Sequence, residues 1–322
     1  MIPKKIYRTP KNFSVCSAKQ FLDEAEPIFS LANVKLIGVK LDTSRTEKAD
    51  ILGQLLLYKF IEYTIHKNCF ISPKTNLNNN SKLKNELDKT GFLPFVNEFM
   101  NKKNSQLKND IPKDYNLEWK KDDAIYIAPI VLSKDSDAYA EKEDEIYKKI
   151  REYYNADSTI VGTIMSCMSE VGSNFMGHAE EATNSVMVAR GNKDFFELAC
   201  ADTGIGVITS LRPVLDKRMQ IHEILRKSLD KGVTSKPHTD HSGSGLWLIS
   251  QYVAFSKGDL YLFSEGAYCH QKKNRSNIKM GQCGKWKGTI IYVSIPLINK
   301  ESIAEGKREI SKQYNHVKIT LV

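Results

Sequence analysis

The sequence predicts an α/β fold arranged as two units, a smaller one followed by a larger. Three observations carry that expectation. Helical and strand patterns alternate through the first hundred residues, a polar lysine-rich stretch at 101–122 interrupts them, and a second series of helices and strands follows. The boundaries this sets are a small α/β domain at 1–105, a linker and connecting strand at 106–135, a larger domain at 136–300 and a basic tail at 301–322.

In the first unit, "SAKQFLDEAEPIFSLA" (17–32) reads as an amphipathic helix with a serine cap, and "VKLIGVKLD" (34–42) as a strand. "KADILGQLLLYKFIEYTIHK" (48–67) follows as a long helix with broad apolar coverage. "NCFISP" (68–73) is short and β-rich, and "KTNLNNNSKLKNELDKTG" (74–91) is an Asn-rich turn leading into a short helix.

In the second unit, "DAIYIAPIVLS" (123–133) is a strand and "DAYAEKEDEIYKKIREYYNAD" (137–157) a helix with Glu and Lys at helical spacing. After Ser158 and Thr159 comes "IVGTIMSCMSEVGSNFMGHA", apolar on most sides and therefore a buried helix. "NSVMVAR" (184–190) and "DFFELACAD" (194–202) are strands separated by "GNK", a hairpin signal. A polar segment of about 35 residues precedes "HSGSGLWLISQYVAF" (241–255), a Gly-rich loop opening an apolar helix. The strands "GDLYLFSE" (258–265) and "GTIIYVSIPL" (288–297) close the unit.

A chain of 322 residues with 41% hydrophobic content has the composition of a globular protein with a real core. No run approaches the roughly eighteen apolar residues of a membrane span, and "MIPKKIYRTPKNF" lacks a signal peptide's apolar stretch. Cys16, Cys69, Cys167, Cys200, Cys269 and Cys283 show no CxxC spacing and read as buried thiols in a reducing cytoplasm. Cys269, His270 and Cys283 lack a fourth ligand for a metal site. The net charge of +9 is concentrated in 270–288, which holds six Lys or Arg and no acid. That stretch is expected to be a solvated loop at a sheet edge. It is also the place where nucleic acid or an acidic protein would bind, although only Trp286 offers a ring for base stacking.

Three motifs carry chemistry. In "SEVGSNFMGHA" (169–179), Glu170, Asn174 and His178 recur every fourth residue and share one face of a buried helix. An amide oxygen suits Mg²⁺, and a carboxylate one turn away suits proton abstraction. Taken singly, each also reads as a satisfied core residue. "ADTGIG" places Asp202 at a strand end before Gly204 and Gly206, a pattern shared with ordinary turns. "HSGSGLWLIS" places Gly243 and Gly245 before a helix N-terminus, where backbone N–H groups favour anions, or where they merely cap. The P-loop pattern is absent.

In order, a helix with Glu-x-x-x-Asn, a hairpin ending in Asp-x-Gly-x-Gly, a long segment, Gly-x-Gly before a helix and a terminal strand opened by Gly-Thr resemble the GHKL ATPases. The resemblance spans about 155–298. It implies the two-layer α/β sandwich of the Bergerat ATP-binding fold, with ATP and Mg²⁺ as ligands. It further implies Glu170 as general base and Asn174 as the Mg²⁺ ligand; His178, a further turn on, is placed to hold that pair or the phosphate. Asp202 would read the adenine amino group, with Gly204 and Gly206 admitting the ring and Thr289 close to it. Gly243 and Gly245 would lie by the phosphates, residues 207–242 would form a flexible lid, and Lys236 would reach the phosphates.

The Glu-x-x-x-Asn-x-x-x-His pattern is most similar to one histidine-kinase subgroup and to anti-sigma kinases. The helix at 137–157 nevertheless contains no histidine to accept a phosphate. "VKLIGVKLDTSRTEKADILGQLLLYKF" resembles STAS-type domains, with Ser44 near the turn. These resemblances imply a Mg²⁺-dependent ATPase of the bacterial regulatory kind that switches by lid closure and meets a protein partner, with room for a homodimer. The alternatives are a protein kinase and a nucleotide-gated binding module without catalysis.

Overall fold

The structure, a computed structural model, describes residues 4–30, 37–66, 70–75, 77–101, 119–121, 123–132, 136–178, 185–235 and 243–315. The N-terminal unit runs β1 (Lys4–Arg8), β2 (Asn12–Phe13), α1 (Val15–Phe29), β3 (Ile37–Asp42), β4 (Lys48–Ala49), α2 (Ile51–His66), β5 (Phe70–Thr75), α3 (Ser81–Lys89) and α4 (Phe92–Asn101). Strands β1, β3 and β5 form a parallel sheet in that order, and β2 pairs with β4. One carboxylate starts two helices. Asp50 accepts N–H groups from Val15 in α1 and Gly53 in α2, each at 2.8 Å.

Helix α2 is buried from Ile51 to Thr64, Lys59 and Glu62 included, and those two charges pair with each other. A helix apolar all round must be covered all round. Its neighbours include α1, α4 and β5 of its own unit and two strands of the next.

The second unit comprises β6 (Lys120–Lys121), β7 (Ala124–Leu132), α5 (Ser136–Tyr153), α6 (Ser158–His178), β8 (Ser185–Gly191), β9 (Phe195–Ala201), α7 (Val207–Leu211) and α8 (Ile221–Lys227). It continues with α9 (Gly245–Ser256), β10 (Asp259–Ser264), β11 (Ala267–Lys272), β12 (Ile278–Gln282), β13 (Thr289–Pro296) and α10 (Lys300–Asn315). Its strands form one antiparallel sheet, ordered β12-β11-β10-β13-β9-β8-β7-β6. The mixed α/β class is as the sequence implies.

Period-two alternation sends β9 side chains to opposite faces. Phe196, Leu198 and Cys200 join a core with α5, α6, α8, α9 and α10. Ala199 and Ala201 join a second core with α1, α2 and α4. The N-terminal unit therefore covers the second face of the large sheet, and α2 lies between that sheet and β5.

Several local expectations change. Residues 270–288, expected as a solvated loop, contain the end of β11 and the whole of β12. Ala267, Cys269 and Gln271 are buried at alternate positions, a pattern hidden in the sequence by the charged residues around it. Arg275 from that stretch is engaged internally, donating to Ser250 Oγ (2.7 Å), the Leu229 carbonyl (3.0 Å) and Asp230 (3.2 Å). Trp286 is fully buried, so its ring is closed to bases; Lys272, Lys273, Lys279 and Lys285 remain exposed. The proposed flexible lid is docked over much of its length, because Ile224, Leu225 and Leu229 are fully buried. Of the cysteines, Cys16 is exposed rather than buried, lying on the outer side of α1, and Cys69 is outside the described residues. The strand assigned to the linker is a full sheet member, and the tail's α10 packs on α9 and α6. Helix α4 and strand β1 were not anticipated. Among the described residues, no helix is long and apolar enough to cross a membrane.

Candidate functional site

Helix α6 brings Glu170 and Asn174 to the inner side of the fold. Its start is fixed by Asp157, whose carboxylate accepts the N–H groups of Thr159 (3.0 Å) and Ile160 (3.1 Å). Val161, Ile164, Cys167, Met168, Val171 and Phe175 hold it in the core. Glu170 and Asn174, one turn apart, meet the first turn of α9. A Cβ built on Gly245 would stand 2.6 Å from Glu170 Oε2 and 2.8 Å from Asn174 Nδ2, closer than side-chain atoms approach. Only glycine lets the helix start reach both groups.

The opposite wall stands beyond β9. Asp202 is 5% exposed, and its Oδ1 accepts the Gly204 N–H at 2.6 Å. Its own N–H donates to the Thr289 carbonyl at 3.0 Å. Thr289 Oγ1 and Ser264 Oγ both accept the Val207 N–H, at 3.2 and 3.1 Å, which anchors α7 beside the strand ends. At the lid, the Gly232 N–H donates to the Gly243 carbonyl at 3.1 Å.

Between these walls lies a cavity of about 290 Å³. That is near the lower end of the roughly 300–1,000 Å³ usual for small-molecule pockets. Its lining includes Glu170, Asn174, Asp202, Gly206, Gly243, Gly245 and Thr289. Gly204 is not in that lining; its N–H instead fixes the Asp202 carboxylate. His178 ends α6, but its side chain and the whole of Lys236 lie outside the described residues. Ser173, Ser210, Ser228 and Ser244, which no motif singled out, add hydroxyl groups to the lining, as do Thr234 and Ser235 of the stretch "GVTSKP". No motif spacing marks them. The only signal was their position in the segments flanking the glycine boxes.

Two features bear on what the cavity holds. Burial pushes the Glu170 carboxyl above its ordinary range, making it a stronger base than a surface glutamate. Asn174 Nδ2 is buried with no hydrogen-bond partner among the described residues. An orphaned buried amide is costly unless something enters to meet it. Turning the amide over puts its oxygen at the same point, as a cation would require. No described group of three or more His, Cys, Asp or Glu forms an all-protein metal cage. The donors fit Mg²⁺ in the form it usually takes, held by one or two protein oxygens, its own waters and substrate phosphates.

Comparison with protein families, curated proteins and solved structures finds no match to this chain.

Proposed function

We propose that this chain is a Mg²⁺-dependent ATPase with a Bergerat-type nucleotide site in the cavity between α6, α9 and the ends of β9 and β13. One observation carries the reading. Glu170, Asn174, Asp202, Gly206, Gly243, Gly245 and Thr289, singled out in separate stretches of sequence, line the same cavity.

In this reading Asp202, held by Gly204, accepts a hydrogen bond from the purine amino group. The phosphates lie toward the N-terminus of α9, where first-turn N–H groups and the helix dipole favour anions. Mg²⁺ bound through Asn174 and the phosphates would offset charge developing on the phosphoryl oxygens. Glu170 takes a proton from a water as that water's oxygen attacks the terminal phosphorus. The bridging P–O bond breaks, ADP and phosphate leave, and Glu170 returns its proton to solvent. The reading includes lid closure over the nucleotide, with α8 itself embedded in the core. That closure is the switch through which a partner protein would sense nucleotide.

The test uses γ-labelled ATP with Mg²⁺, counting free phosphate and protein-bound label separately. The ATPase reading expects free phosphate from the unaltered chain and at least a hundredfold less from Glu170→Gln, Asn174→Ala and Asp202→Ala. Label retained on the chain or on an added protein would favour the kinase alternative. ATP binding without turnover would leave a nucleotide-gated binding module.

A further inference from the structure

The segment 283–288 joins the N-terminal unit to the purine wall of the cavity. Trp286 lies within it, fully buried and the largest of the fully buried side chains. Its Nε1–H donates to the Asp202 carbonyl at 2.8 Å. Its ring packs on Phe29 of α1 with centroids 4.6 Å apart, and Phe29 packs in turn on Tyr63 of α2, also at 4.6 Å. Two residues earlier, the Gly284 N–H donates to Asp23 of α1 at 2.6 Å. A Cβ on Gly284 would stand 2.0 Å from the Leu22 carbonyl oxygen, so the two backbones touch. Three residues after Trp286, Thr289 lines the cavity.

We propose that Trp286 is a positioning residue for Asp202, and that helix α1 sets its place through Phe29 and Asp23. The proposal deepens the nucleotide-site reading and rests on it. Asp202 is held at its N–H by the Thr289 carbonyl, at its carboxylate by Gly204 and at its carbonyl by Trp286. Of these three contacts, the one from Trp286 leads directly to the N-terminal unit. Glu170 and Asn174 stand on α6, which packs on α9, α10 and the other face of the sheet. A shift of α1 thus alters purine recognition and leaves the groups assigned to the phosphates in place. The N-terminal unit, on this view, tunes the affinity of the site for adenine nucleotide. A partner bound to it would raise or lower ATP affinity without touching the cavity.

Steady-state ATP hydrolysis, with tripolyphosphate as competitor, tests this in the full chain. Trp286→Phe keeps a ring and loses the N–H; Asp23→Ala removes a side chain from the surface of α1 and carries little risk of unfolding. Each is expected to raise KM for ATP about five- to tenfold, to lower kcat less than threefold, and to leave tripolyphosphate inhibition within twofold of the unaltered chain. A general loosening of the fold would weaken tripolyphosphate as well, and that result overturns the proposal. Unchanged KM in both variants overturns it too, with the nucleotide reading intact. Failure of the unaltered chain to bind or hydrolyse ATP overturns both.

Discussion

Gly245 and Glu170 approach so closely that a methyl group on the glycine would stand 2.6 Å from the carboxylate oxygen. The contact locks the start of α9 against the middle of α6 and leaves no slack at the point assigned to phosphoryl chemistry. Gly245→Ala is favoured by helix propensity, by up to about 1 kcal/mol in a helix interior. It should nevertheless lower phosphate release at least tenfold while shifting the melting temperature by only a few degrees. Equal activity in the variant would mean that this contact does not shape the site.

The pH dependence of turnover should report Glu170. A general base works ionised, so activity rises with pH through its pKa, and burial sets that pKa above the ordinary carboxylate range. The acid limb of the kcat profile should therefore fall at higher pH than an exposed glutamate would give. Glu170→Gln should lower kcat about 10²–10⁴-fold with ATP affinity changed little. A profile flat down to pH 4 would remove Glu170 from the role.

Asp50 offers a second titration, read as stability. Burial pushes its carboxyl up to about 6, against about 3.9 for an unstructured aspartate. Between those values the folded chain holds a proton that the unfolded chain has released. Its contribution is thus fully present below about pH 4 and is lost as pH rises through about 6, by an amount on the order of 3 kcal/mol. The Val15 and Gly53 N–H groups bond different carboxylate oxygens; Asn at this position keeps an acceptor for only one of them, a loss that does not vary with pH, and cannot ionise. Urea unfolding at pH 5 and pH 7.5 should show Asp50→Asn gaining on the unaltered chain at the higher pH. Parallel behaviour at both would refute the assignment.

Arg275 should behave as a structural residue despite its basic surroundings. Its guanidinium joins Ser250 in α9 to Leu229 and Asp230 after α8. Arg275→Ala should cost about 1.5–3 kcal/mol in stability, the scale for hydrogen bonds to a charged group. It should also weaken ATP binding, since Ser228 and Val233 line the cavity beside this joint. Lys272→Ala with Lys273→Ala, both exposed positions, should affect neither property. Differential scanning calorimetry and equilibrium ATP binding on both variants separate the two expectations.

Strong periodicity made much of the fold readable. The apolar helix around Glu170, the hairpin of β8 and β9 and the apolar helix after Gly245 are long and patterned, and the structure has all three. The motif residues were legible because glycine before a helix and aspartate at a strand end are local signals. What stayed hidden depends on contacts distant in sequence. The lysines of 270–288 read as solvent-facing, and only pairing with β10 shows that every second residue of β11 points inward. Trp286 read as a ring for bases because nothing in its neighbourhood announces Phe29, more than 250 positions away. The second core escaped notice for the same reason. Ala199 and Ala201 look like weak strand residues until α2 is laid across them.

The burial of α2 on β8 and β9 also has a bearing on synthesis. The helix ends at His66, whereas β9 is complete only at Ala201. At about 5–20 residues per second, a ribosome takes on the order of ten seconds to produce the surface that covers it. Through that interval a helix apolar on every side stands with one flank bare. The nascent chain should accordingly engage a hydrophobic-segment chaperone until the hairpin emerges, and fragments that stop before β9 should be recovered from aggregates rather than from solution.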